Sequence, residues 1–268
     1  MDLVHAVILA LIQGITEFLP ISSSGHLVLA PHLFGWQDQG LHFDIATNTG
    51  SWLAVVIYFR SDVVSLLESG WVSIKRRTVF LDPEARLFWS LALATIPVGL
   101  VGLMFKEQIA TLVRDPIVIA TTSILFGVLL WWSDRVGDRT RPLRGIRWRD
   151  ALFIGLAQAL ALIPGTSRSG ITITAGLFAG FNRHAAARFS FLMTLPIGIL
   201  AGGLDLVELT GTDLSSDAWM AMGLGMAVSG ISAYLVIDWL LGWLRRRTLT
   251  PFVIYRILLG CVIFALVL

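Results

Sequence analysis

Long apolar stretches separated by short polar ones set the pattern of this chain. The stretches 43–59, 85–105, 116–133, 184–205, 218–243 and 251–268 are apolar along most of their length. Runs of about 20 such residues match the hydrocarbon thickness of a bilayer, so each predicts a transmembrane helix. Two further apolar regions, 4–34 and 151–181, are interrupted. Gly14, Pro20, Ser22, Ser23, Ser24 and Gly25 break the first, and Pro164, Gly165 and residues 167–170 break the second. Backbone broken at membrane depth survives only where protein or a water-filled cavity surrounds it. Both regions therefore predict re-entrant helical hairpins.

Composition agrees. Of 268 residues 56% are hydrophobic and 14% charged, with a mean hydropathy of +0.78. Soluble domains carry about 25% charged residues, so too little charge is present to cover a water-facing surface. The expected fold is an all-α polytopic membrane protein, one domain over 1–268, with about six transmembrane helices and two re-entrant hairpins. A net charge of +2 gives no reason to expect nucleic acid. The single cysteine, Cys261, excludes an intrachain disulfide or a cysteine metal site. Asp2 precedes the apolar run at Val4 without a basic stretch, and the run leads into polar residues, so no cleaved leader is expected.

The two interrupted regions match. A shift of 145 residues places Gln13 on Gln158, Ser22 on Ser167, Ser24 on Ser169 and Gly25 on Gly170. Interrupted segments at corresponding places in two halves point to a binding site where the halves meet. An odd number of spans between the copies inverts the second relative to the first. The halves run over about 1–133 and 150–268, joined by a basic loop at 134–149. On this count three basic clusters share a side: Lys75 to Arg77, the arginines from Arg135 to Arg149, and Arg245 to Arg247. Basic loops stay in the cytoplasm. The opposite loops hold Lys106, Arg114, Glu208, Asp213 and Asp217, and the first hairpin enters from that outer side.

Candidate chemistry is concentrated in the two breaks. The first reads Gln13-Gly-Ile-Thr-Glu17-Phe-Leu-Pro-Ile-Ser22-Ser23-Ser24-Gly25-His26. Ionisable residues within a membrane are costly and mark function. The serines alone would also suit a helix cap. The second reads Pro164-Gly165-Thr166-Ser167-Arg168-Ser169-Gly170. A Gly- and Ser-rich turn opening a helix offers N–H groups and a positive dipole end to an anion, and Arg168 adds a planar fork for phosphate oxygens. One loop brings a carboxylate, hydroxyls and an imidazole, and the other an anion clamp; phosphoryl transfer needs both. A lone carboxylate among oxygen donors suits Mg²⁺. Asp44 and Asn48, near Thr49, are expected to line the same cavity, Arg256 and Asp238 to be structural or interfacial, and Trp131, Trp132 and Trp239 to belong to an aromatic belt. Gly223, Gly225 and Gly230 suit close helix contact, within the chain or in a homodimer.

These motifs resemble the undecaprenyl-diphosphate phosphatases of the bacitracin-resistance type. The resemblance spans nearly the whole chain. Beside the two loop motifs it includes residues 43–60, Arg188 to Leu192, and Pro251-Phe-Val-Ile-Tyr-Arg256. It implies removal of the terminal phosphate from undecaprenyl diphosphate, recycling the carrier for cell-wall synthesis, with bacitracin tolerance. It also implies a divalent cation (Mg²⁺ or Ca²⁺), a bacterial inner-membrane location and a site open to the periplasm. By resemblance the catalytic residues are Glu17, Ser23, His26 and Arg168. Glu17 would hold the metal. Gln13, Ser22, Ser24, Gly25, Thr166, Ser167, Ser169 and Gly170 would line the substrate. Ser23 activated by His26 is the expected nucleophile, with His26 itself or a metal-bound water as the other candidates. Many members have a second Glu where this chain has Gln13, on the same helix face as Glu17. The rival reading is a transporter or flippase of a polyprenyl phosphate lipid, in which the same residues bind without chemistry.

Overall fold

The computed structural model describes residues 2–36, 39–79, 81–105, 115–209 and 214–267. Lys106, Arg114 and Asp213 lie outside them. The described chain is helical, apart from an isolated bridge between Arg141 and Phe181. The first half holds α1 (Leu3–Phe18), α2 (Ser23–Phe34), α3 (Leu41–Tyr58), α4 (Arg60–Lys75), α5 (Pro83–Met104) and α6 (Pro116–Val136). The second holds α7 (Trp148–Ala159), α8 (Arg168–Phe178), α9 (Arg183–Leu192), α10 (Thr194–Leu209), α11 (Ser216–Leu244) and α12 (Thr250–Val267). Local chemistry sets several starts. Asp82 and Asp115 cap α5 and α6, each with proline in the first turn, where a missing N–H costs nothing.

Among the described residues five apolar segments are long enough to cross a membrane, and a sixth if the bent pair α3–α4 counts as one. Four of them are α5, α6, α11 and α12; the fifth, Arg183–Gly203, is α9 running into α10. At 16 and 12 residues α1 and α2 are too short to cross alone, as are α7 and α8 at 12 and 11. These are the expected hairpins. The segment expected over 43–59 is α3, which then bends by 77° into α4. The apolar pattern over 60–75 is interrupted by Arg60, Asp62, Glu68 and Lys75 and predicts no spanning segment there. Packing secures the helix: the Phe88 ring of α5 fills the place where a Gly70 side chain would stand. Arg188 of α9 pairs with Asp62.

Each hairpin packs on a long helix of the other half, α1 against α11 and α7 against α5. The contacts are close because glycine permits them. A Cβ on Gly14 would overlap the α11 backbone at Ser229, and one on Gly155 the α5 backbone at Ala94. The core lies where the halves meet, around Phe18, Ile154, Ile173, Phe181, Phe189 and Phe191. Large apolar side chains such as Leu103, Ile231, Leu235 and Leu258 stay exposed, as expected where lipid replaces water. Trp131, Trp132 and Trp239 are exposed among them.

The 134–149 segment is more than a solvated loop. Arg141 binds Asp150 at 2.6 Å, the Gly145 carbonyl at 2.9 Å and the Ala179 carbonyl at 2.5 Å. Arg139 and Arg245 line one cavity, so the second and third basic clusters share an end of the molecule.

Candidate active site

The two loops are built alike. Ser22 and Ser167 both have positive φ, 73° and 67°, a region that residues with a side chain rarely adopt. Each serine then caps the helix that follows. Gly25 N–H donates to Ser22 Oγ at 3.4 Å and Gly170 N–H to Ser167 Oγ at 3.1 Å. Each also meets the serine two residues on, Ser24 at 3.1 Å and Ser169 at 3.2 Å. Such strain persists where surrounding structure enforces it, and it collects at functional sites. Here the enforcement is mutual. Gly165 N–H donates to Ser24 Oγ at 3.4 Å, and Ser169 Oγ donates to the Leu19 carbonyl at 3.0 Å.

A second layer holds the Pro164–Thr166 turn. Thr122 Oγ1 donates to the Pro164 carbonyl at 2.5 Å. The guanidinium of Arg256, wholly buried, donates to the Gly165 and Thr166 carbonyls at 2.9 and 2.8 Å and to the Ser123 carbonyl at 3.2 Å. Arg256 is thus structural, one of the two roles expected. With the carbonyls drawn to Arg256 and Thr122, the turn holds its shape without strand or helix. Gly165 has φ +80° and lies against the α6 backbone, so a side chain there would both strain and clash.

At the meeting point stands Glu17. Its Oε1 accepts from Arg168 Nη2 at 3.1 Å, and its Oε2 accepts from Ser23 Oγ at 2.8 Å and Gln13 Nε2 at 3.1 Å. Gln13 also donates to Asn48 Oδ1 at 2.8 Å. Arg168 Nη1 donates to Thr194 Oγ1 at 2.6 Å, and its guanidinium lies 6.0 Å from the Phe18 ring. Glu17 and Arg168 are 18% and 16% exposed, so the pair is neither sealed nor freely solvated. Four expected residues, Gln13, Glu17, Ser23 and Arg168, therefore converge from both loops.

His26 is placed differently from the expected Ser23–His26 dyad. Its Nδ1 is 2.7 Å from the Ser22 carbonyl and its Nε2 is 2.6 Å from the Tyr255 hydroxyl. A carbonyl oxygen cannot donate, so Nδ1 carries the hydrogen and, in the neutral ring, Nε2 accepts from Tyr255. The base in contact with Ser23 is Glu17. Thr166 is wholly buried and Ser169 turns to Leu19, so both serve the junction of the loops. Gln158, the counterpart of Gln13, is wholly buried with its amide unpartnered among the described residues. Asn48 lines the site as expected, whereas Asp44 accepts from Gln39 at 2.9 Å.

Thr194 and Tyr255 carried no expected role. Tyr255 belongs to the Pro251–Arg256 motif, which was the one available signal. Thr194 had none.

No cluster of three or more His, Cys, Asp or Glu side chains lies together among the described residues. Any cation here would rest on Glu17, with the neutral amide of Gln13 beside it.

The fold and site define a helical membrane protein with a carboxylate, an arginine and a serine held together between paired broken hairpins. Comparison with known proteins is specific. The family model described as bacitracin resistance protein BacA matches residues 6–262. The undecaprenyl-diphosphatase of Magnetococcus marinus is 60% identical over 267 residues, covering 99% of each chain. Undecaprenyl-diphosphatase 2 of Stutzerimonas stutzeri is 52% identical, covering 99% of this chain and 98% of its own. That of Campylobacter curvus is 50% identical over 97% of each. The chain belongs to the bacitracin resistance protein BacA family.

Proposed function

We propose that the protein hydrolyses undecaprenyl diphosphate to undecaprenyl phosphate and inorganic phosphate. This returns the lipid carrier to cell-wall synthesis and gives tolerance to bacitracin. The observation that carries the reading is the convergence of Ser23 and Arg168, from separate loops, on Glu17. Near-full-length relatives named undecaprenyl-diphosphatase supply the substrate. A flippase needs the clamp but not a hydroxyl placed on a carboxylate, so the Ser23–Glu17 contact favours the enzyme.

In the proposed sequence the terminal phosphate draws Arg168 from Glu17, because it carries more negative charge than a carboxylate and accepts the same bidentate fork. Glu17, freed, accepts the Ser23 proton. Ser23 Oγ attacks the terminal phosphorus, the bond to the bridging oxygen breaks, and the lipid phosphate leaves with the proton from Glu17. Water then attacks the phosphoserine, its proton taken by His26 once Tyr255 releases Nε2. The bond from phosphorus to Ser23 Oγ breaks, Ser23 Oγ takes up a proton from solvent through Glu17, His26 returns its proton to solvent, and inorganic phosphate leaves. The N–H groups at the start of α8 and the hydroxyls of Ser24 and Ser167 surround the phosphates, while the buried Ser22, Gly25 and Gly170 serve the loop packing, Gly170 lying against Arg256.

The donor set fits a hard divalent cation, Mg²⁺ or Ca²⁺, which takes one or two carboxylates and completes its shell with phosphate oxygens. Glu17 would hold it, with Gln13 contributing if its amide oxygen turns inward. When bound, the ion neutralises charge on the diphosphate. The site opens to the periplasmic face of the inner membrane, opposite the basic clusters. Every residue in this scheme comes from one chain, so a homodimer is not required.

The test is phosphate release from undecaprenyl diphosphate by the purified protein, with and without chelator. Chelator-sensitive release supports the reading. Lipid binding without release, by protein shown to be folded, moves it to the flippase.

A further inference from the structure

An apolar cavity of about 670 Å³ lies between α3, α10 and α11. Its α3 wall includes Ile45, Asn48 and Trp52, and its α10 wall Gly198, Ile199 and Gly202. Both walls begin at groups that hold the Glu17–Arg168 pair. On α3, Asn48 accepts from Gln13, which also donates to Glu17. On α10, Thr194 accepts from Arg168, and the next residue, Leu195, accepts from Trp52 Nε1 at 3.2 Å. Beyond these polar contacts and Thr49, whose hydroxyl donates to the Ile45 carbonyl at 2.8 Å, the lining is apolar, and Ile199 and Trp219 on it are 65% and 58% exposed.

Small residues create the space. The Trp52 indole lies where a Gly198 side chain would be, whereas a Cβ on Gly202 or Gly203 would meet nothing within 4 Å. An occupant must therefore be apolar, begin near the Glu17–Arg168 pair and continue into the bilayer. The geometry points to the isoprenoid tail of the substrate lipid: the groove takes the units next to the diphosphate, and the rest of the tail stays in the bilayer. This inference rests on the phosphatase reading of the neighbouring site.

Transfer of a prenyl chain from bilayer hydrocarbon to an apolar groove gains little free energy, because lipid is already apolar. The groove instead fixes direction. A tail held between Trp52 and Gly202 restricts how the terminal phosphorus meets Ser23, and positioning of this kind strongly affects rate.

Gly202 lies two helical turns beyond Thr194, about 12 Å along the axis. A side chain there should block a long tail but not a single isoprene unit. In Gly202→Trp, kcat/KM for undecaprenyl diphosphate should fall about tenfold or more, a size expected of shape discrimination in an apolar pocket. With isopentenyl diphosphate it should stay within about twofold of the parent, on the same reasoning. Gly242→Trp, at a second open glycine remote from the groove, should change neither. Unchanged turnover of both substrates by Gly202→Trp, or equal loss with both, overturns the proposal.

A photo-crosslinking residue at Ile199 supplies a readout independent of hydrolysis. It should capture radiolabelled undecaprenyl diphosphate, with competition by unlabelled undecaprenyl diphosphate and not by phosphatidylglycerol. Competition by phosphatidylglycerol would make the groove a seat for ordinary bilayer lipid and overturn the proposal, as would absence of capture. Specific capture by a protein that releases no phosphate would leave the groove standing and remove the phosphatase reading.

Discussion

Arg168 Nη2 lies 3.1 Å from Glu17 Oε1, so the only strong charge of each loop is held by the other. The pair sits at the junction of two hairpins that are each too short to cross the membrane. Its position makes it both a lock between the halves and, in the proposed mechanism, the first contact that phosphate displaces.

Replacement of Arg168 by lysine tests the fork. One ammonium keeps the charge but cannot hold Glu17, Thr194 and phosphate with the same geometry. Arg168→Lys should lower kcat about 10²–10³-fold, the size of losing a donor aimed at transition-state charge. Steady-state kinetics on the purified variant measure it, and activity near the parent would show that charge alone suffices.

Exchange of Gln13 for glutamate tests the cation. Gln13 Nε2 now donates to Glu17 and Asn48. A carboxylate there would donate to neither and would place a second negative charge beside Glu17. Gln13→Glu should lower the half-saturating Mg²⁺ concentration about tenfold, equivalent to about 1.4 kcal/mol. A titration of phosphate release against Mg²⁺ decides this; an unchanged midpoint argues against a cation at Glu17.

Much of this architecture was legible in the sequence, for physical reasons. Apolar length sets spanning segments, and breaks at membrane depth are so restricted that both hairpins stood out. The 145-residue match proved local and geometric, since Ser22 and Ser167 share φ, cap and serine partner. What escaped was decided by packing. The charges on α4 hid a helix that Phe88 and Arg188 secure from other elements. The His26–Tyr255 contact joins residues 229 apart, and no local pattern reports a contact of that range. The Ser23–His26 dyad was the natural reading of neighbours in sequence, but the turn at Ser22 directs Ser23 to Glu17 and His26 toward α12.

Tyr255→Phe tests the role of that contact. Removal of the hydroxyl leaves His26 tethered only at Nδ1. The variant should retain its fold and lose about tenfold in kcat, within the range that general acid–base groups contribute. A loss equal to that of His26→Ala would instead make Tyr255 as important as the imidazole it holds.

The positive φ of Ser167 gives a stability test. Ser167→Gly relieves backbone strain while losing the cap, whereas Ser167→Val loses the cap and adds a β-branched side chain to a left-handed backbone. The valine variant should unfold at a lower temperature in detergent, by a free-energy gap of about 1–3 kcal/mol. Equal melting would mean that the loop adopts another backbone in solution.

The most direct test of the central claim compares the parent protein with Arg168→Ala, both reconstituted in proteoliposomes of the same composition and supplied with undecaprenyl diphosphate and Mg²⁺. The account predicts inorganic phosphate from the parent and nearly none from Arg168→Ala, with both folded and inserted. Similar phosphate release by the two, or none from a parent that still binds the lipid, would contradict it.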